Sequence, residues 1–179
     1  MKKILILFLL SICFPLKYFG LGLGYSSQTA SFSMIYTDNN PYTDKFSYFV
    51  VLGATANNPS EDMTYDFSPT LFDDEDRGTH THYMWLVGGI PLKIGKNALI
   101  NLGGGLTITS EYYKRYDSYQ ILGEDGKYYI ENDDGGGVLP TFYASAFIPM
   151  KRGFWGMTHL GLSFNLYPID IGISFVTDI

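Results

Sequence analysis

Residues 98–109 read ALINLGGGLTIT, and this stretch decides the fold. Its even positions are apolar or glycine, whereas its odd positions include two glycines together with Asn101, Thr107 and Thr109. A period of two residues is typical of a β-strand, because successive side chains of a strand point to opposite faces. The same alternation recurs in residues 160–166 and 169–175. The sequence therefore predicts strands with one apolar face and one face of glycine and small polar residues.

These strands carry almost no charge. Residues 98–109 and 138–149 contain no Asp, Glu, Lys or Arg. A strand in a soluble sheet usually carries charged residues on its wet face, since they keep that face solvated and protect edges from pairing. In hydrocarbon only a closed barrel pairs all of its backbone groups. We therefore predict an all-β fold, a single closed antiparallel up-and-down transmembrane β-barrel whose apolar face meets lipid.

The composition agrees with this fold class. The chain has 179 residues, of which 17% are charged, with 20 Gly, 15 Tyr and 13 Phe and a mean hydropathy of +0.02. A helical membrane protein would have a much higher mean hydropathy. Tyr and Phe are the residues that form the aromatic girdles of a barrel at the two membrane interfaces.

The amino terminus has the pattern of a secretory signal peptide. Lys2 and Lys3 form a positive region, and Ile4 to Phe14 form an apolar core that is shorter than the roughly 20 residues a membrane helix needs. Cleavage after Cys13 and cleavage after Gly20 are both compatible with the sequence. We assign residues 1–20 to the signal and residues 21–179 to the barrel domain.

Alternation and turn residues together predict eight strands. They span residues 18–26, 28–37, 46–55, 79–91, 98–113, 137–149, 156–166 and 169–178. With both termini in the periplasm, the two longest connections, 56–78 and 114–136, fall outside the cell. Long outer loops and short periplasmic turns are typical of outer-membrane barrels.

In these respects the chain resembles the small eight-stranded outer-membrane barrels of Gram-negative bacteria, the OmpX-like and OmpA-transmembrane-domain-like group. The resemblance covers nearly everything after the signal and rests on pattern. It implies a location in the cell outer membrane, in contact with outer-membrane lipid and lipopolysaccharide. Another membrane or surface protein is a further partner to expect.

The long connections are acidic, which disfavours nucleic acid as a partner. One acidic cluster is followed closely by two histidines, and its members could supply oxygen and imidazole ligands to a metal ion. These candidates are Asp73, Asp74, Asp76, His80 and His82. Their spacing matches neither an EF-hand nor a zinc site. We therefore interpret the segment as a solvated acidic loop and predict no metal and no cofactor.

The small polar face predicts the lining of the lumen. The residues assigned to it are Asn101, Thr107, Thr109, His159, Ser163, Asn165, Asp170, Ser174 and Asp178. If the turn at residues 92–97 is symmetric, Met84 and Leu86 face inward opposite glycines, and Trp85 faces outward. The same symmetry places His80 and His82 in the lumen beside Thr109 and Thr107. An eight-stranded barrel is about wide enough for side chains alone, which argues against a general porin.

The second long connection contains Asp125-Gly126 between residues 119–122 and 127–130, a strong hairpin signal. Such a hairpin would extend the neighbouring strands beyond the lipid as a ribbon, the surface we expect to bind a partner. Its candidate contact residues are Tyr119, Gln120, Leu122, Asp125, Gly126, Tyr128 and Tyr129.

Two other classes compete with a non-enzymatic, partner-binding barrel. A soluble lipocalin-like barrel would bind a small apolar ligand inside, but its outer face would then be the uncharged Gly/Ser/Thr/Asn face. A lipid-modifying barrel enzyme needs a His, a Ser and an acid close together. His159 and Ser163 are four strand residues apart, about 13 Å, which is beyond hydrogen-bond reach. We therefore predict a barrel without catalytic residues.

Overall fold

A computed structural model describes residues 18–26, 29–38, 47–57, 59, 64–65, 74–94, 98–123, 125–153 and 156–178. It contains the strands β1 (Tyr18–Ser26), β2 (Thr29–Asp38), β3 (Tyr48–Thr55), β4 (Thr64–Tyr65), β5 (Asp74–Ile94), β6 (Ala98–Asp117), β7 (Lys127–Gly153), β8 (Gly156–Asn165) and β9 (Asp170–Asp178). All eight predicted strands are present, and β4 is an additional strand of two residues.

The strands form a closed barrel. Each long strand pairs antiparallel with the next long strand along the chain, β1 pairs with β9, and β7 pairs with β8. The short β4 lies outside this cylinder and pairs parallel with β7. The predicted fold class, an eight-stranded antiparallel barrel, is therefore confirmed. We call the end that carries the β6–β7 connection the loop end and the opposite end, where both β1 and β6 begin, the turn end.

The outer surface of the barrel is a belt of large apolar side chains. Its exposed members include Leu21, Leu23, Phe32, Leu52, Met84, Leu86, Ile90, Leu102, Leu106, Ile108, Phe142, Ile148, Leu162, Phe164, Ile171, Ile173 and Phe175. These residues alternate with buried ones along each strand. An exposed apolar belt on a sheet without open edges is what the hydrocarbon core of a membrane requires.

Large inward side chains pack against glycines on neighbouring strands. A Cβ atom on Gly53 would overlap the indole of Trp85, and one on Gly161 would overlap the ring of Phe147. These two aromatic side chains belong to a buried apolar cluster inside the barrel. Its members are Ile35, Phe49, Val51, Trp85, Val87, Leu99, Tyr143, Phe147 and Val176.

The prediction of which β5 side chains point into the barrel was wrong. In the structure Met84 pairs with Ile108 and Leu86 with Leu106, so both lie on the outer belt, 45% and 57% exposed. Trp85 pairs with Thr107 and is buried at 2% exposure. Because Ile94 pairs with Ala98, the β5–β6 turn is centred between these two residues. This centre lies one and a half residues later than the centre of a symmetric turn at residues 92–97. Strand side chains have a period of two, so this shift moved each residue of β5 to the other face.

The proposed signal segment falls mostly outside the described residues, which begin at Tyr18. Strand β1 starts there, and Tyr18 to Gly20 pair with Thr37 to Ile35 on β2. Cleavage after Gly20 would therefore remove three paired residues of β1, so the domain boundary at residue 20 stays a prediction.

Candidate functional site

Three strands continue beyond the apolar belt at the loop end. The last large apolar residue of the belt on β6 is Ile108, yet β6 runs on to Asp117, paired with β5 on one side and β7 on the other. Six residues separate Ile108 from Lys114, about 20 Å along a strand and about 15 Å along the axis of a barrel with strands tilted by about 40°. We call residues 111–117, the connection 118–126 and residues 127–131 the outer ribbon.

The connection at the tip of the outer ribbon is folded around Asp117. This side chain is fully buried. Its carboxylate accepts the backbone amides of Tyr119, Ile121 and Leu122 at 2.8, 2.7 and 3.1 Å. Three amide donors on one carboxylate fix the path of the connection, since each is a hydrogen bond to a charged acceptor. Although burial acts to raise the pKa of the Asp117 carboxyl, these amides outweigh it and lower the pKa below its ordinary value.

Backbone contacts complete the tip. The amide of Asp117 donates to the carbonyl of Gly126 at 2.8 Å, and that of Gln120 donates to the carbonyl of Asp117 at 3.0 Å. Gly126 has a φ of 76° and no room for a Cβ atom. The expected two-residue hairpin at Asp125-Gly126 was therefore wrong in extent: residues 119–122 curl around the Asp117 carboxylate and do not form a strand.

Strand β4 supports the tip from the side. The hydroxyl of Tyr65 accepts the amide of Gly123 at 3.4 Å, and the Tyr65 ring packs edge-on against Tyr128 with centroids 5.7 Å apart. These contacts link the tip to the connection between β3 and β5.

The candidate partner-binding residues differ in how exposed their side chains are. Tyr119, Gln120 and Asp125 are exposed, with Tyr119 at 69%, whereas Leu122 and Tyr129 are half-buried and Gly126 and Tyr128 are buried. Sequence reasoning missed Ile121, which is 66% exposed beside Tyr119, and it missed Asp117, which positions both. An aspartate followed by a run of loop residues is the signal that could have identified Asp117, since aspartate commonly accepts amides a few residues further on.

A second feature of the outer ribbon is a cavity of 400 Å³, which we call the cationic pocket. The residues that line it include four bases, Arg77, Lys114, Arg115 and Lys127. Lys114 and Lys127 share one sheet face, whereas Arg115 lies on the opposite face with Tyr128. Its remaining wall consists of Tyr116, Tyr128 and Tyr129. In the sequence these bases are only a minority within two acidic segments.

The proposed metal ligands do not assemble among the residues that the structure describes. There, no three side chains of His, Cys, Asp or Glu come together. Asp76 accepts the amide of Gly78 at 2.8 Å and pairs with Arg115 at 3.7 Å. His80 lies 2.5 Å from the carbonyl of Asn57, and His82 lies 3.0 Å from the Thr55 hydroxyl. Asp73 lies outside the described residues, as does the side chain of Asp74.

The two histidines also occupy a different register from the expected one. His80 pairs with Tyr112 and His82 with Ser110, three residues further along β6 than the predicted partners Thr109 and Thr107. The same shift of the β5–β6 turn is the cause.

Most of the candidate lumen residues are buried inside the barrel. They are Asn101, Thr107, Thr109, Ser163, Asn165, Asp170 and Ser174. His159 is half-buried near the turn end, where its ring meets Tyr18 edge-on at 5.7 Å. Asp178 is the last residue of β9, and its side chain is outside the described set.

Three of these polar residues hold the β8–β9 turn, residues 166–169, across the loop end of the barrel. Thr107 on β6 donates to the carbonyl of Tyr167. Asn165 donates to the same carbonyl at 2.8 Å and accepts the Thr141 hydroxyl at 3.0 Å. The Tyr167 ring reaches Tyr83 on β5, with centroids 6.0 Å apart. The turn leaves β8 and contacts two strands on the far side of β7, so it lies over the opening. The third residue, Asp170, begins β9 and accepts a hydrogen bond from Ser31 on β2.

Comparison with known proteins gives limited matches. No protein-family model matches the chain, and no curated protein matches its sequence. A solved structure from a study of the de novo design of transmembrane β-barrels aligns at 12% identity and a TM-score of 0.48, covering 92% of this chain and 96% of that one. Ail, the attachment invasion locus protein of Yersinia pestis, aligns at 8% identity and a TM-score of 0.45, covering 91% and 95%.

In the described part of the chain, no helix is long and apolar enough to cross a bilayer. The closed sheet and its uncharged apolar belt are the features that meet lipid. An even-numbered antiparallel barrel with an outward-facing apolar belt is the outer-membrane type. The chain is a small eight-stranded β-barrel protein of the outer membrane.

Proposed function

We propose that the chain is a non-enzymatic outer-membrane barrel that binds a macromolecular partner through the tip of its outer ribbon. The observation that carries this proposal is the order of the tip. Asp117 holds residues 119–122 with three hydrogen bonds to backbone amides, and the loop so fixed exposes Tyr119 and Ile121. A large apolar side chain on an ordered loop loses little conformational entropy on binding, which favours docking of a partner.

The barrel interior supports a binding role over transport. The apolar cluster around Trp85 and Phe147 lies inside the barrel, and the β8–β9 turn lies over the loop end. Passage of solutes would require both to move. The acidic character of the outer connections, which include Asp125, Glu131 and Asp134, would select against acidic partners at the tip.

The positions of the possible catalytic groups support a non-enzymatic role. Asp170 bonds to Ser31 close to the loop end, whereas His159 lies near the turn end. Asp170 pairs with Asn165 on β8, and five residues of that strand lie between Asn165 and His159. The two groups are therefore about 20 Å apart along the strand. A Ser, a His and an acid acting together must be within hydrogen-bond reach of one another.

A matched pair of double variants tests the proposal. Tyr119→Ser with Ile121→Ser removes the two exposed apolar groups of the tip. Tyr167→Ser with Ile169→Ser makes the same chemical change in the β8–β9 turn, where both residues are also exposed. The proposal expects a complex purified from native membranes in mild detergent to be lost with the first variant and retained with the second. Retention of the complex by both variants would refute it.

A further inference from the structure

The apolar belt is interrupted by a groove of 610 Å³, which we call the belt groove. Its walls are two neighbouring rows of outward side chains that pair across the strands. The loop-end wall is the row of Leu23, Phe32, Ala54 and Met84. The turn-end wall is the row of Phe175, Leu21, Met34 and Leu52. The belt groove therefore runs across the strands from β9 to β5 and does not follow any one of them.

The floor of the belt groove is the row between these walls, whose side chains point into the barrel. It consists of Gly22, Ser33 and Gly53, which pair with one another across β1, β2 and β3. Inside the barrel, the indole of Trp85 occupies the place that a Cβ atom on Gly53 would take. Only the backbone of β3 therefore separates this indole from the belt groove.

The belt groove has the dimensions of one extended hydrocarbon chain. Its two walls are two residues apart on each strand, which corresponds to about 6.6 Å. From Phe175 on β9 to Met84 on β5 it crosses four strand spacings, about 19 Å. A channel of this width and length accommodates a single linear chain.

The belt groove is also inclined, and its Met84 end is the one nearer the loop end. The row that forms the turn-end wall, followed around the whole barrel, leaves β7 at Pro140 and returns to β7 at Ile148, nearer the turn end. With strands tilted by about 40°, the path of about 19 Å descends about 12 Å along the barrel axis. One leaflet contributes about 15 Å of hydrocarbon, so the belt groove fits within the leaflet at the loop end.

Polar groups lie just beyond the Met84 end. His82 is the next residue on the same face of β5 toward the loop end, and its Nδ1 atom is 3.0 Å from the Thr55 hydroxyl. Asn57 follows Thr55 and donates to the carbonyl of Thr81 at 3.4 Å. An apolar channel with polar groups at its outer end matches a lipid whose chain enters from the headgroup layer.

We propose that the belt groove holds one straight acyl chain of a membrane lipid from the leaflet at the loop end, with the headgroup beside Thr55 and His82. The belt that surrounds the groove is the surface that meets lipid, so an acyl chain is the occupant at hand. Within hydrocarbon, association depends on van der Waals packing. A chain between two rows of side chains gains more of these contacts than a chain on a convex surface. A second copy of the barrel would present another convex belt, which cannot fill so narrow a channel.

The indole behind Gly53 provides a local readout. The chain has two tryptophans, so Trp155→Phe leaves Trp85 as the single fluorophore. The full protein in detergent is titrated with a phosphatidylcholine that carries bromine atoms midway along one chain, because bromine quenches indole fluorescence only at close approach. We expect quenching that saturates at an equimolar ratio of lipid to protein. An unbrominated straight-chain lipid should reverse it, whereas a lipid with methyl-branched chains should not.

A matched pair of alanine variants locates the site. Ala54→Leu enlarges a side chain of the loop-end wall, and quenching should fall to the level of a random mixture of lipid and detergent. Ala146→Leu makes the same change in a smaller depression of 340 Å³ across β6 to β9 and should leave the quenching unaltered. Gel mobility of unboiled samples checks that each variant is folded, and Ala54→Val replaces Ala54→Leu if the latter is not.

Several outcomes would overturn the proposal. They are quenching that follows the bulk fraction of brominated lipid, reversal by the branched lipid as well, and equal loss in both alanine variants. A dimer in sedimentation experiments that Ala54→Leu dissociates would assign the belt groove to a second copy of the chain instead. The belt groove is separate from the outer ribbon, so each of these outcomes leaves the variants at Tyr119 and Ile121 to decide the proposed function.

Discussion

The carboxylate of Asp117 accepts the backbone amide of Ile121 at 2.7 Å, across four residues of the chain. This contact ties the end of β6 to the most distal part of the outer ribbon. The Ile121 side chain is 66% exposed, while Asp117 is fully buried beneath it. The order of the exposed surface therefore depends on a single buried acid.

Replacement of Asp117 should loosen the tip without unfolding the barrel. Asp117→Ala removes the acceptor for three amides, so amide exchange of residues 119–122 should accelerate by about tenfold or more. Asp125→Asn, at an exposed position of the same connection with a φ of 52° that asparagine tolerates, serves as the control and should leave these rates within about twofold. Hydrogen exchange measured by mass spectrometry in detergent would check this. Unchanged exchange in Asp117→Ala would show that β4 and the backbone contacts hold the tip alone.

The same carboxylate makes the order of the tip depend on pH. The folded pKa of Asp117 lies below its ordinary value of 3.8 because the amide donors outweigh burial. A lowered folded pKa means that the stabilisation is complete above the ordinary pKa and is lost as the pH falls through the folded value. We expect the amide resonances of Tyr119 and Ile121 to shift and broaden below pH of about 4. The Asp117→Asn variant should show no such transition, and a transition that persists in it would assign the effect to another group.

Substitutions at two adjacent glycines test which β5 residues point into the barrel and which point toward lipid. Gly88 faces outward, where a Cβ atom meets only the carbonyl oxygen of Phe49 at 3.8 Å. A Cβ on Gly89 would approach the Cα of Gly103 to 2.5 Å and the Phe49 ring to 2.6 Å. Gly89→Val should therefore destabilise the barrel by about 1 to 3 kcal/mol, the usual cost of overpacking. Gly88→Val should change stability by less than about 0.5 kcal/mol.

The midpoint of urea unfolding in lipid vesicles measures both glycine variants. The opposite ranking, with Gly88→Val the more damaging, would restore the facing in which Met84 and Leu86 point inward.

Planar bilayer recordings should show no stable, porin-sized conductance. The side chains around Trp85 and the turn that carries Tyr167 both lie in the path of solutes. Trp85→Ala should cost about 3 to 5 kcal/mol as a buried cavity mutation, and it should remain closed because the β8–β9 turn is unaltered. A large steady conductance of the unaltered protein would contradict the proposed role.

Surface labelling checks the orientation. Cysteines introduced at Asp74 and Tyr119, near the loop end, should react with an impermeant maleimide on intact cells. Those at Lys96, between β5 and β6, and at Arg152, at the end of β7, should react only after the outer membrane is opened. Equal labelling at all four positions, or the inverse pattern, would show that the loop end does not face outward.

The local sequence was sufficient to predict the strands. Alternation in residues 98–109, 160–166 and 169–175 has a period of two, which a helix cannot accommodate. The absence of charged residues from 98–109 and 138–149 argues against a soluble sheet. Closure followed from the same observation, since unpaired edges are not tolerated in hydrocarbon. The binding surface was predicted only in part: Tyr119 and Asp125 are exposed, but Tyr128 is buried.

The register of β5, the fold of the tip and the cationic pocket depended on tertiary structure. The sequence marks a turn after Leu92 but does not fix its centre, and a change in the centre reversed the facing of Met84, Trp85 and Leu86. Arg77 is 37 residues or more from Lys114 and Lys127, so only the pairing of β5, β6 and β7 brings these residues to one part of the sheet. Periodicity is a local property that each strand carries in its own residues. Register and the meeting of distant charges are properties of pairs of strands, and they are decided by packing across the sheet.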